Sequence, residues 1–329
     1  MRPTRRRFYL IANRGAGLNG SPLVEEVVSA LLRAGVELTL TQPADIETGR
    51  AQAREAAGSG RYDAILAAGG DGTIRQVAAT LIGTGTPLGI VPVGTGNVLA
   101  HEIGLAHQSA AVVRMLLDGP VVDAVCARAN GVPFLLMAGA GFDGRVIAAL
   151  DHRLKSHVGK VAYAGPMLGA LAHPVDTLTV SVDGRRHEAS WAVIANASHY
   201  GGHFVMARGT GIRERGLQAI LFKAKNRAVL VGQLMALAMG TLDDRSASHG
   251  DVEMLPCLRA TVSAQHPVPT QIDGDAFGAT PLEIEAGAAD LRLIVPPAPA
   301  HSHRSTDSRP RHWTGGGRAA GGSGAVSQK

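Results

Sequence analysis

The chain has 329 residues, 45% hydrophobic and 18% charged, with a formal net charge of +5. That length favours two domains over one, and the apolar share describes a globular protein with a real core. Arg2, Arg5, Arg6 and Arg7 carry +4 and residues 298–329 another +4, so the body between them is mildly acidic at −3, which excludes a dedicated nucleic-acid surface on the fold itself.

The two basic ends read as solvated tails or as an attraction to an anionic membrane, worth about 1 kcal/mol per residue held near it. Cys126 and Cys257 supply no disulfide framework, which fits a reducing compartment. "FYLIAN" is too short for the apolar region of a signal peptide, and no apolar run is long enough to span a bilayer. The expectation is a cytoplasmic protein, free to make transient contact with the inner face of the membrane.

Taken in chain order, "RRFYLIAN" reads as a strand and "SPLVEEVVSALLRAG" as a helix, with Ser21 placed to cap it, Pro22 opening it and Gly35 ending it. "VELTLT" is a strand, "IETGRAQAREAAGSG" a helix and "YDAILAAGG" the third strand; "TIRQVAATLIG" and "PLGIVPVG" follow as helix and strand. This βαβ succession predicts a Rossmann-like, mostly parallel sheet over residues 1–122, with ligands at the carboxyl ends of its strands. Beyond Pro120 the style changes. Hairpins are predicted at Asn130-Gly131 and Asp183-Gly184, further β runs follow, and helices interrupt them at 142–171 and 226–241. Residues 123–297 therefore read as a mainly antiparallel β-sandwich, its last strands able to return to the first domain. Residues 298–329 are Gly, Ser, His and Arg with almost no apolar content and read as a disordered basic tail.

Three βα junctions carry "NRGAGLNG", "GGDGT" and "PVGTGN". Three glycine turns on one sheet edge make a backbone-lined floor whose N–H groups can cradle a polyphosphate. No Walker-type loop occurs, and "GAGFDG" at 139–144 comes too late and lacks the acid of a dinucleotide fingerprint. "HEIGLAH" imitates a zinc helix, but His101 and His107 fall on different faces. Asp71 stands inside the second glycine turn. A carboxylate there is repelled by a triphosphate unless a cation such as Mg²⁺ intervenes, or it simply caps the helix starting near Thr73.

"GGDGT", "PVGTGNVLAHEIGL", "GAGFDGRV", "VIANASHYGGHFVMARGTG" and "QIDGD" together resemble the diacylglycerol kinase catalytic-domain family, and within it the soluble bacterial lipid kinases related to sphingosine and ceramide kinases. The likeness runs from about residue 8 to 297. It implies ATP and Mg²⁺ as cofactors and phosphoryl transfer to a lipid hydroxyl. It implies ATP contacts at Gly69, Gly70, Asp71, Gly72, Thr73, Ile74 and Arg75, at Gly94, Thr95 and Asn97 of the "GTGN" turn, and at Thr41 and Asn13. It places Mg²⁺–ATP positioning on Asp71, and the general base on Asp275 of "DGD", where the family more often has Glu. Read on residues alone, Asp275 is as good a hairpin residue.

Two departures stand out. Asn13 is followed by Arg14, not the more usual proline, and Arg215 and Gln218 occupy positions where the family carries the acids of a structural Mg²⁺, so that metal is expected to be lost. The apolar helix "AVLVGQLMALAMG" reads as a lining for acyl chains, a membrane contact or core. An NAD kinase and a non-catalytic nucleotide-binding regulator are the rival readings, and the oligomeric state is left open, a homodimer included.

Overall fold

The computed structural model describes residues 5–13, 21–150 and 159–297. Short apolar runs alternate with amphipathic helices along the first part of the chain. They form β1 (Arg7–Ala12), α1 (Pro22–Arg33), β2 (Glu37–Thr41), α2 (Ile46–Gly58), β3 (Ala64–Gly69), α3 (Asp71–Leu81), β4 (Leu88–Pro92), α4 (Val98–Glu102), α5 (Ser109–Asp118) and β5 (Val121–Ala124). The sequence "AILAAG" of β3 is buried at every position, as a central parallel strand covered on both faces must be. Pro22 and Gly35 open and close α1 as expected, but the Ser21 side chain makes no capping bond. In α2 the cap is Asp45, whose carboxylate accepts from the Thr48 N–H.

The second part supplies β6 (Ala127–Ala129), β7 (Val132–Phe134), β8 (Met137–Ala140), α6 (Phe142–Ala148), a 3-10 turn at Gly159–Tyr163, α7 (Ala164–Ala172), β9 (Leu178–Val182), β10 (Arg185–Ala189), β11 (Trp191–Ala195), β12 (His199–Tyr200), β13 (Phe204–Val205) and β14 (Leu217–Phe222). After these come α8 (Arg227–Met239), α9 (Leu242–His249), β15 (Val252–Cys257), β16 (Arg259–Ala264), β17 (Pro269–Ile272), β18 (Asp275–Ala279), β19 (Leu282–Glu285) and β20 (Leu291–Ile294).

The first sheet runs β2-β1-β3-β4-β20-β5. Its first four strands are mutually parallel, β20 continues parallel to β4, and β5 closes the edge antiparallel. The chain thus returns to the first sheet with its last strand. Two antiparallel six-stranded sheets, β10-β9-β16-β19-β6-β7 and β15-β14-β11-β8-β17-β18, form the sandwich. Between them lie Phe134, Val180, Ile194, Leu221, Val262 and Ile284, each side chain worth roughly 1.5–3 kcal/mol of burial.

Three expectations are corrected. The helical stretch expected over 142–171 is, among the described residues, α6, the 3-10 turn and α7, with 151–158 outside them, and α9 is added after α8. "VEMLPCLRATVSA" is two strands in two sheets, because Asp183 accepts the backbone N–H groups of Leu258 and Arg259 and fixes a corner between them. Arg5 is no solvated tail residue: it is buried, donating to the carbonyls of Leu116 (2.9 Å) and Gly119 (2.6 Å) where α5 ends. The tail expected from residue 298 lies outside the described residues.

Candidate functional site

Parallel pairing in register brings the carboxyl ends of β1 to β4 to one edge. Ile11 pairs with Thr41, Ala12 with Ala68, and Gly69 with Pro92. The glycine turns after β3 and β4 follow these ends directly, while the first, at 14–20, lies outside the described residues. Asn13 ties β1 to β3 by donating its N–H to the Ala68 carbonyl (3.0 Å), and its side-chain amide reaches the Thr73 hydroxyl at 3.3 Å. Thr41 stands at the edge with its hydroxyl on Gln52 Oε1 at 3.0 Å.

The second and third turns touch backbone to backbone. A Cβ on Gly94 would lie 2.6 Å from the Gly70 Cα, so only glycine allows this approach. Asn97 adopts a left-handed φ of 47° and accepts the Gly94 N–H at 2.7 Å, closing the "GTGN" turn in which Thr95 is half-buried. His107, read earlier as no metal ligand, holds this turn: its Nε2 is 2.9 Å from the Pro92 carbonyl.

Asp71 is the first residue of α3, with Gly70 as the cap. Its carboxylate does cap a helix, but not its own: the two oxygens accept the N–H groups of Val98 and Leu99 at 3.1 Å each, the opening of α4. Asp71 thus lies between two helix N-termini, where a negative charge is favoured, and couples the two loops. Ile74 lies beneath them, its side chain in the core and its N–H on the Gly70 carbonyl.

The second domain reaches the same loops through the β17–β18 hairpin. Asp273 (φ 49°) and Gly274 (φ 80°) are its turn, and Asp275 opens β18. The Asp273 carboxylate is buried and accepts three backbone N–H groups, from Leu135, Leu136 and Met137, at 2.8 to 3.0 Å. Burial pushes its pKa up to about 6, against the pull of those donors and of Arg75. Asp275 sits on the glycine loop at 69–73 itself: a Cβ on Gly72 would meet its Oδ2 at 2.6 Å. Arg75 crosses from α3 to the hairpin, its Nη2 2.8 Å from Asp275 Oδ2 and its Nε 4.0 Å from Asp273 Oδ2.

Sequence reasoning missed what holds this hairpin. Gln271 accepts the Gly274 N–H at 2.9 Å and donates to Asp143 at 2.9 Å. Asp143 is fully buried, and desolvation pushes its pKa up to about 6. The late glycine motif 139–144 is therefore the β8–α6 junction that seats Asp143. Also missed was Glu102, whose Oε2 takes donors from Ser198 and His199. Only the pairing of "HEIGL" with "ASHYGG" could have hinted at it. His101 lies near His199 and His203, with ring centroids 6.3 Å apart in each case, and no three-residue metal cluster forms among the described residues. Arg215 is exposed in the turn before β14, and Gln218 Oε1 accepts the Gly209 N–H at 3.1 Å.

The apposed glycines and the opening turns of α3 and α4 form a floor whose backbone N–H groups can face a polyphosphate, with the carboxylate of Asp71 between its two loops and that of Asp275 against Gly72. Two family models match the chain: the diacylglycerol kinase catalytic domain over residues 7–129 and the YegS C-terminal NAD kinase beta sandwich-like domain over residues 137–295. An uncharacterized protein of Synechocystis is 28% identical over 303 residues, which cover 88% of this chain and 70% of that protein. A diacylglycerol kinase of Mycobacterium tuberculosis is 27% identical over 248 residues, covering 71% of this chain and 77% of its own length. A diacylglycerol kinase crystal structure from Bacillus anthracis str. Sterne shares the fold, with a TM-score of 0.69 at 18% identity over 90% of this chain and 98% of that one. The chain belongs to the diacylglycerol kinase catalytic-domain family and carries the YegS-type β-sandwich as its second domain.

Proposed function

We propose that the chain is a lipid kinase that moves the γ-phosphoryl group of ATP to a lipid hydroxyl, with diacylglycerol or a related lipid alcohol as acceptor. The observation that carries this reading is the seat of Asp275: an acid from the second domain lies directly on Gly72 of the phosphate-binding loop.

The loop 69–73 and the turn 94–97 bind the triphosphate through backbone N–H groups, which the first turn of a helix cannot satisfy internally. Asp71 acts on the nucleotide by fixing these two loops against each other, and it would help to hold Mg²⁺ on the phosphates, directly or through water. Mg²⁺, when bound, neutralises charge on the β- and γ-phosphates. Asp275 takes the proton of the lipid hydroxyl as that oxygen bonds to the γ-phosphorus; the bond to the β–γ bridging oxygen breaks and ADP leaves. Asn13 and Thr41 border the nucleotide side. No structural Mg²⁺ belongs to this reading, since Arg215 and the engaged amide of Gln218 offer no anionic ligand.

The acceptor side supports a lipid. α7 and α8 pack together and expose Met167, Leu168, Val231, Met235 and Met239, a surface suited to transient contact with a bilayer. Among the described residues no helix is long and apolar enough to cross a membrane.

Purified protein incubated with radiolabelled ATP, Mg²⁺ and a total lipid extract should yield a labelled lipid, its identity read by mass. Label on NAD instead would establish the NAD kinase reading. ATP binding with no labelled product in lipid or NAD would leave a nucleotide-binding regulator.

A further inference from the structure

The family resemblance places Arg75 among the contacts to ATP. Its surroundings point elsewhere. Arg75 lies one helical turn beyond Asp71, on α3, and its side chain is 9% exposed. The guanidinium is spent on the second domain: Nη2 meets Asp275 Oδ2 at 2.8 Å, while Nε, buried and without a hydrogen-bond partner, faces Asp273 Oδ2 at 4.0 Å. Asp273 is fixed in turn by three backbone N–H groups, so the cation spans a rigid acid and a movable one. The movable acid, Asp275, is the one that rests on Gly72.

We propose that Arg75 is the positioning residue for the base, holding the Asp275 carboxylate over the phosphate loop across the domain boundary, and is not a ligand of the nucleotide. This rests on the phosphoryl-transfer reading above. A guanidinium is suited to the task because its planar fork fixes the direction of a carboxylate as well as its distance. An ammonium at the same place would supply charge without orientation. Aspartate, one methylene shorter than the glutamate more usual in the family, has less reach of its own, and Arg75 sets where that reach ends.

The test separates binding from turnover. Arg75→Gln should lower kcat on the order of a hundredfold, the cost of misplacing a catalytic group by about 1 Å, while the Kd for ATP measured by calorimetry stays within about threefold. Arg75→Lys should recover only part of the loss, and added guanidinium ion should restore part of the turnover of Arg75→Ala. An ATP affinity weakened tenfold or more, with kcat unchanged at saturating ATP, would make Arg75 a nucleotide ligand and overturn the proposal. A readout that needs no turnover keeps it apart from the kinase reading. Thermal midpoints of Arg75→Gln, Asp275→Asn and the double variant should be non-additive, the second substitution costing less once the first is made. Additive shifts would sink the positioning role even if lipid is phosphorylated, and non-additive shifts in a protein that phosphorylates no lipid would sink the kinase reading alone.

Discussion

The carboxylate of Glu102, at the end of α4, holds the imidazole of His199 at 2.7 Å, and so joins the parallel-sheet domain to the wall of the second domain. The same Oε2 accepts from the Ser198 N–H, the Ser198 hydroxyl and the His199 N–H at 3.0, 2.8 and 3.1 Å. Glu102→Ala leaves these donors unpaired in a largely buried place, at a cost of about 1–3 kcal/mol. Urea unfolding should show a lower midpoint with an unchanged slope. An unshifted midpoint would mean that water replaces the carboxylate without loss.

Gly72→Ala places a methyl group where Asp275 Oδ2 now lies, 2.6 Å away. The carboxylate is on a side chain and can swing aside, so the fold should survive. Lipid phosphorylation should fall tenfold or more while ATP affinity changes little. Turnover at the wild-type rate would show that this seat is not used in the reaction.

Asp143 and Asp273 predict a pH dependence. Burial raises both folded-state pKa values from 3.8 to about 6. A raised acid stabilises the fold most when protonated, below its unfolded value, and that contribution is lost as pH climbs through about 6. Asp143→Asn, which keeps an acceptor for Gln271, does not ionise. Its stability relative to wild type should therefore improve between about pH 4 and pH 7, by roughly 1–3 kcal/mol, and level off above that. A difference independent of pH would show that Asp143 is not ionising over this range.

Val231, Met235 and Met239 follow one another at four-residue intervals along α8 and are 40%, 59% and 68% exposed. Met235→Glu should weaken sedimentation with phosphatidylglycerol-containing vesicles by about tenfold, the worth of one buried methionine, with turnover on detergent-dispersed lipid little changed. Equal vesicle binding would move the membrane contact to another face.

Much of this molecule can be read in its sequence. The strand–glycine–helix rhythm specifies the parallel sheet and the edge where its loops meet, because each signal is local. The hairpins at Asn130-Gly131 and Asp183-Gly184 are local as well, and the left-handed φ of Asn130 and Asp183 follows from them. What the residues alone could not show is pairing over distance. Asp71 was legible as an acid inside a glycine turn, yet the N–H groups it accepts belong to another helix. Arg75 and Asp275 are 200 positions apart, and nothing in either neighbourhood names the other. The resemblance supplied Asp275, but not the cation that holds it. The corner at Leu258 was hidden because an unbroken β-like run conceals a change of sheet.

The place of β20 has a consequence for how the protein can be divided. The strand enters between β4 and β5, so the sandwich is an insertion within the parallel-sheet domain, and the polypeptide crosses between them twice. A fragment ending at Ala124 would leave β4 with a bare edge and β5 with nothing to pair. Cutting the gene after the first family segment would therefore not release an autonomous ATP-binding module. A circular permutant opened at a sandwich hairpin, such as Asp183-Gly184, keeps every strand of the first sheet in place and is the dissection the topology permits.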